Sequence, residues 1–215
     1  MMSAWAVMLI GLMAIEGTEA PAKKITAEAI TKKMQQRIDK VEGLSAEFSI
    51  STYMAALDQN RESSGRLYIL RKKSKLRLEQ ADQTIVSDGK SVWTYIPVNQ
   101  QIIVMPAEDS KAGIRPDEFL FFYTNQYTHT LIGDEMIDGV VHYKLHLKAN
   151  TVLADFPELR IWVDSGEWLT RRVLYADDMG SETVVQFTHI RLNPDMPSGT
   201  FTMSPPEGVE VVDLR

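Results

Sequence analysis

The sequence predicts a mainly β protein with one leading amphipathic helix, and three observations carry that prediction. Short β-rich runs broken by turn residues recur from Leu44 almost to the end of the chain, a stripe of helical period precedes them, and no alternation of strands with helices is visible. About eleven strands at this close spacing suggest a sandwich or a barrel. With 215 residues, 44% of them hydrophobic, the chain can bury a substantial core as one domain.

Residues 3–15, SAWAVMLIGLMAI, form an uncharged apolar run that is short for a spanning helix and suits a signal-peptide core. Small residues follow, so cleavage is expected after Ala22, with Ala20 as the second position, leaving 23–215 as the mature domain. No Lys or Arg precedes the run, and an uncleaved anchor is the alternative. From Ile25 the period becomes helical. Thr26 is the expected N-cap, Ile30, Met34, Ile38 and Val41 share one face, Gly43 ends the helix, and Lys32, Lys33, Gln36 and Asp39 form the solvent side. A helix with one apolar stripe packs onto something flat, and a sheet is the obvious partner.

Three strands come next, over Leu44–Tyr53, Gly65–Leu70 and Lys75–Gln80. Thr84–Ser87 and Lys90–Ile96 then flank Asp88-Gly89, a pair that tolerates the positive φ of a tight hairpin turn, and Gln101–Met105 completes a meander after the turn at Pro97–Gln100. Later strands are expected over Tyr127–Gly133, Val140–Lys148, Glu158–Asp164, Trp168–Tyr175, Thr183–Leu192 and Thr200–Met203. Their period of two assigns faces: Val141, Tyr143, Leu145 and Leu147 against His142, Lys144, His146 and Lys148, then Trp162 with Arg160 and Asp164, and Phe187 with Val185 and His189. One face of the sheet is predicted to be apolar and the other wet. Glu108–Gln126 breaks the pattern. Pro116, Asp117 and Glu118 suit a first helical turn, and Phe119, Leu120, Phe121, Phe122 and Tyr123 follow without interruption. Such a helix is either buried on several sides or serves as a flap over an apolar surface.

Composition excludes several chemistries. A net charge of −6 and a pI near 5.3 oppose a nucleic-acid surface, and the dense basic run Arg71-Lys72-Lys73-Ser74-Lys75 is short enough to be a solvated turn. The absence of cysteine removes disulfides, thiolate metal sites and a lipid-attachment cysteine. His142 and His146 stand roughly 13 Å apart at 3.3 Å per strand residue, too far to share a metal, and His129 and His189 lack neighbours of ligating type. No nucleophile elbow, Walker loop or zinc-helix motif occurs. The chain therefore nominates no catalytic residue, metal or cofactor, and a concave sheet with an apolar inner face suits apolar ligands instead.

The run Ser87-Asp88-Gly89-Lys90-Ser91-Val92-Trp93-Thr94-Tyr95-Ile96-Pro97, together with the ending Phe201-Thr202-Met203-Ser204-Pro205-Pro206-Glu207-Gly208-Val209, resembles the LolA family of periplasmic carriers of outer-membrane lipoproteins. Gly65-Arg66-Leu67-Tyr68, Lys75-Leu76-Arg77-Leu78 and Ile161-Trp162-Val163-Asp164 extend the likeness over almost all of the mature chain. The resemblance implies an unclosed antiparallel β-barrel of about eleven strands, with an N-terminal helix and lid helices over an apolar cavity that receives acyl chains. It further implies a monomer in the periplasm whose partners are acylated lipoproteins, an inner-membrane lipoprotein-releasing ABC transporter and an outer-membrane acceptor. Leu76 and Leu78 share a strand face, the family match places Ile85 inward, and these with Phe119 and Phe122 are the expected acyl-chain contacts. The family's basic latch, which hydrogen-bonds the lid shut, falls on Arg71 or Lys72, because Lys73 replaces the proline that usually sets the register. A lipid- or lipoprotein-sensing regulatory module of the same fold is the alternative function.

Overall fold

The computed structural model describes residues 25–109, 120, 126–152, 154 and 156–215. The expected signal segment over residues 1–22, and Phe119, Phe122 and most of the segment between Glu108 and Gln126, lie outside the described residues. Helix α1 spans Ala27–Ile38. Strands follow as β1 (Gly43–Met54), β2 (Gln59–Leu70), β3 (Lys75–Gln80), β4 (Thr84–Ser87), β5 (Ser91–Ile96), β6 (Gln101–Pro106), β7 (Tyr127–Ile137), β8 (Val140–Ala149), β9 (Glu158–Asp164), β10 (Thr170–Ala176), β11 (Glu182–Leu192) and β12 (Glu210–Asp213). All of them join one 12-stranded sheet in the order β12-β6-β5-β4-β3-β2-β1-β11-β10-β9-β8-β7.

The sheet is unclosed, as expected, but it differs from the expected barrel in two ways. It is mixed rather than antiparallel throughout, because β12 runs parallel to β6, pairing Glu210 with Gln101 and Asp213 with Val104. The last strand is also not Thr200–Met203. Thr200 and Phe201 lie in a turn in which the Thr200 N–H donates to Pro197 O and the Thr202 N–H to Gly199 O. The twelfth strand starts ten residues further on, at Glu210, where Val211 and Val212 find the free edge of β6.

Cross-strand register builds the core. Leu44, Ile69, Leu76, Ser87, Val92 and Met105 form one row across β1 to β6, and Ala46, Leu67, Leu78, Ile85 and Thr94 form the next. Across the other half, Ile50, Val185, Val173, Ile161, Leu145 and Leu131 line up in the same way. The apolar members of these rows lie in or against one cluster with Ile30 and Met34 of α1. The helix thus lies on the inner face, held there by the stripe its spacing predicts, with Thr26 as its N-cap accepting from the Ala29 N–H at 3.3 Å. It ends at Ile38 with Asp39 as its C-cap, and Gly43 opens β1 instead of closing the helix.

The outer face is not wet throughout. Val86, Ile102, Val104 and Phe201 are buried yet stand outside the inner cluster. Arg77, opposite Val86 on this face, donates at 3.4 Å to Thr200 O and Thr202 O, which ties the segment after β11 to β3 like a strap. The expected face of His189 is reversed. Val185 and Phe187 are buried, but a register shift in the β1–β11 pairing and a φ of 49° at His189 turn this side chain out to Glu47, 3.0 Å away. Trp168, expected in a strand, belongs to the turn before β10 and has a φ of 59°.

Candidate functional site

The inner face and the helix over it are the candidate site. Leu76, Leu78 and Ile85 come together there, Leu78 directly opposite Ile85, and all three are buried in the cluster that includes α1. Leu120 joins the same cluster. Phe119 and Phe122 lie outside the described residues.

The two latch candidates separate. The Arg71 Nη1 donates at 2.6 Å to Ile38 O, the last carbonyl of α1, which also accepts from the Val41 N–H, and at 3.2 Å to Val41 O in the link to β1. The short turn Arg71–Lys73 between β2 and β3, closed by Ser74 at φ 50°, presents it there. Lys72 instead pairs with Glu42 at 2.6 Å, in a bridge whose side chains are 76% and 69% exposed. Its ammonium holds the Glu42 carboxyl below the usual carboxylate range. The flap candidate Glu108–Gln126 lies largely outside the described residues.

Asn193 adds a fastening that sequence reasoning missed. Its Oδ1 accepts from the N–H groups of Glu42 and Gly43 at 2.8 and 3.1 Å, and its Nδ2 donates to Lys40 O at 3.3 Å. No local pattern marks it, since about 150 residues separate the partners along the chain. On its other flank α1 meets Trp168. The Lys33 Nζ lies 4.0 Å from the indole centroid, and the indole stacks on Tyr143 at 5.9 Å between centroids. The turn Asp164-Ser165-Gly166 was the available signal that Trp168 is a loop residue.

The outer face is polar over β7–β11 and internally compensated. Arg172 lies 3.8 Å from Glu135 and over the Trp162 ring, whose Nε1 donates to Glu135, while Arg171 pairs with Asp164 and Glu167. His142 is buried with Nδ1 2.9 Å from Val140 O, and His146 lies 3.1 Å from Glu158. Among the described residues no group of three or more His, Cys, Asp or Glu side chains is placed to hold a metal ion, and no helix is long and apolar enough to cross a membrane.

The family model described as outer membrane lipoprotein carrier protein LolA matches residues 39–204. The chain belongs to the LolA family. Curated LolA-type relatives include an outer-membrane lipoprotein carrier protein of Legionella pneumophila, 27% identical with 88% of this chain and 92% of the relative covered. Another, of Dechloromonas aromatica, is 30% identical over 79% of this chain and 80% of its own. An uncharacterized protein of Methanocaldococcus jannaschii is 24% identical over 88% of this chain, which spans 55% of that relative's length. Among solved structures, an uncharacterized conserved protein from Thermus thermophilus superposes with a TM-score of 0.58 at 14% identity, covering 87% of this chain and 98% of that one. That likeness speaks to the fold alone. Within the LolA frame, the match includes β1–β11 and the strap but stops before β12.

Proposed function

We propose that this protein is a periplasmic carrier that binds the acyl chains of lipoproteins against the inner face of its sheet and conveys them from the inner to the outer membrane. The observation that carries the reading is the apolar inner face with Leu76, Leu78 and Ile85 in its rows and one helix laid over it, in a chain of the LolA family. The names of the Legionella and Dechloromonas relatives support the same cargo. Physical need agrees with it: a buried methylene is worth about 0.8 kcal/mol, so a chain of roughly 15 carbons costs on the order of 12 kcal/mol to expose to water. A carrier has to match that figure without exceeding it.

In this reading residues 1–22 direct export and the domain at 23–215 does the carrying, as a monomer without catalysis. Leu76, Leu78 and Ile85, with Phe119 and Phe122, contact the acyl chains. Arg71, better placed than Lys72 because it already holds the end of α1, latches the closed form. A membrane ABC transporter supplies the energy for loading, and an outer-membrane acceptor receives the cargo.

The test is binding of a fluorescent long-chain fatty acid and its displacement by a diacylated lipopeptide, joined to lipoprotein sorting in cells depleted of the protein. Displacement by the lipopeptide and retention of lipoproteins at the inner membrane are the expected results. Correct sorting after depletion overturns the reading. A stable complex with a signalling protein, lost on lipid binding, favours the regulatory alternative instead.

A further inference from the structure

Trp168 occupies a conformation that a bulky side chain rarely adopts, with φ at 59°. The turn that imposes it is well built: the Trp168 N–H donates to Asp164 O at 2.8 Å, and Asp164 Oδ1 accepts from the N–H groups of Gly166 and Glu167 at 2.8 and 2.9 Å. Its result is to fold the indole onto Tyr143, a residue packed against the inner cluster, and beneath the Lys33 ammonium of α1. Lys33 is an exposed residue on the helix's solvent side, next to the buried Met34. Nothing in the burial of α1 requires this contact, whereas the strained turn places the ring to receive it.

We infer that Lys33 and Trp168 form a second clasp on α1, which holds the helix over the inner face in the unloaded protein and parts when acyl chains lift it. Arg71 grips α1 from the β2–β3 turn and Trp168 grips it from the β9–β10 turn, so the helix is tied to both halves of the sheet. The second tie is the weaker one. An exposed cation over a half-buried aromatic ring shifts an equilibrium by a small factor, which suits a contact that must break in every cycle. This clasp rests on the carrier reading, since it needs the helix to move with cargo.

If the clasp favours the closed form, removing it raises the open fraction and tightens apparent binding by the same factor. Lys33→Met, which keeps the aliphatic stem, is expected to bind the fluorescent fatty acid about two- to fivefold more tightly, as the strength of such a contact dictates. Trp168→Leu should give the same gain and the double variant no more than either alone. Should Trp168→Leu not fold, Trp168→Phe replaces it and shows a smaller gain. Independently, the Lys33 ε-methylene protons should resonate upfield under the indole in the unloaded protein and return toward free lysine values on saturation with the probe. Unchanged affinity of Lys33→Met, or a Lys33 signal that saturation leaves in place, overturns the clasp while leaving the carrier reading standing. No binding of the probe by the wild-type protein removes the carrier reading and the gate together, and the unloaded Lys33 signal then reports a merely structural contact.

Discussion

Gly65 is where single atoms decide the packing between strands. A methyl group there would stand 2.1 Å from Glu79 O and 2.7 Å from Phe48 Cζ, so β2 passes under the Phe48 ring and beside β3 only because this position has no side chain. Gly65→Ala is expected to cost about 1–3 kcal/mol by urea unfolding, as overpacking does, and Phe48→Leu in the same background should recover part of it. Asp164 is decisive for a different reason. Burial works against its ionisation, yet the Glu167 and Gly166 N–H groups and Arg171 outweigh that and hold its carboxyl below the usual range. A depressed carboxyl contributes stability that is present above its unfolded pKa of about 3.9 and lost as pH falls through the lower folded value. Between pH 7 and 3 the Tm of Asp164→Asn should therefore fall less than that of the wild type, and parallel slopes would refute the assignment.

At the scale of elements, the ends of α1 carry different weights. Arg71→Leu removes two charge-assisted bonds, to the last carbonyl of α1 and to Val41 O beyond it, and is expected to destabilise the protein by about 1–3 kcal/mol, whereas Lys72→Leu breaks only an exposed pair and should lie within about 1 kcal/mol of wild type. Chemical denaturation of the two variants checks the contrast, and equal losses would contradict it. The helix itself was legible in Thr26, Ile30, Met34 and Ile38, because its cap and stripe are local. Most strands were legible for the same reason, as in Leu145 and Leu147, which are fully buried at the period of two. What stayed hidden depends on partners distant in sequence. The alternation around Phe201 looks like a strand, but its phenylalanine is a buried member of the strap, and β12 exists only because β6 offers it an edge. The reversal of His189 belongs to the register shift between Ser45 and Glu47 in the pairing of β11 with β1, which no pattern in its own segment announces. Leu76, Leu78 and Ile85 could be placed on one face by period and family likeness, while the Lys33–Trp168 contact joins a helix to a turn 135 residues away.

In the whole molecule, stability is expected to be uneven. β12 holds only the edge of β6, with three of its four residues exposed, whereas β8–β11 and β1 are paired on both sides. Amide exchange should be fastest in Glu210–Asp213 and slowest at Leu145, Ile161, Val173 and Val185, and slow exchange at β12 would contradict the ranking. Apart from β12, the sheet order divides the fold into two meanders, β1–β6 and β7–β11, whose neighbours are also neighbours in the chain. A single seam, β1 against β11 from Leu44–Leu192 to Tyr53–Glu182, joins them. A chain that emerges from its N-terminus builds the first meander early but cannot close the seam until Leu192 has arrived. Until then β1 stands as a raw edge, with Phe48 and Ile50 waiting for Phe187 and Val185. The interval before seam closure thus exposes an unpaired edge that favours aggregation, and substitutions at Phe187 are expected to lower yield through that interval as well as through the finished fold.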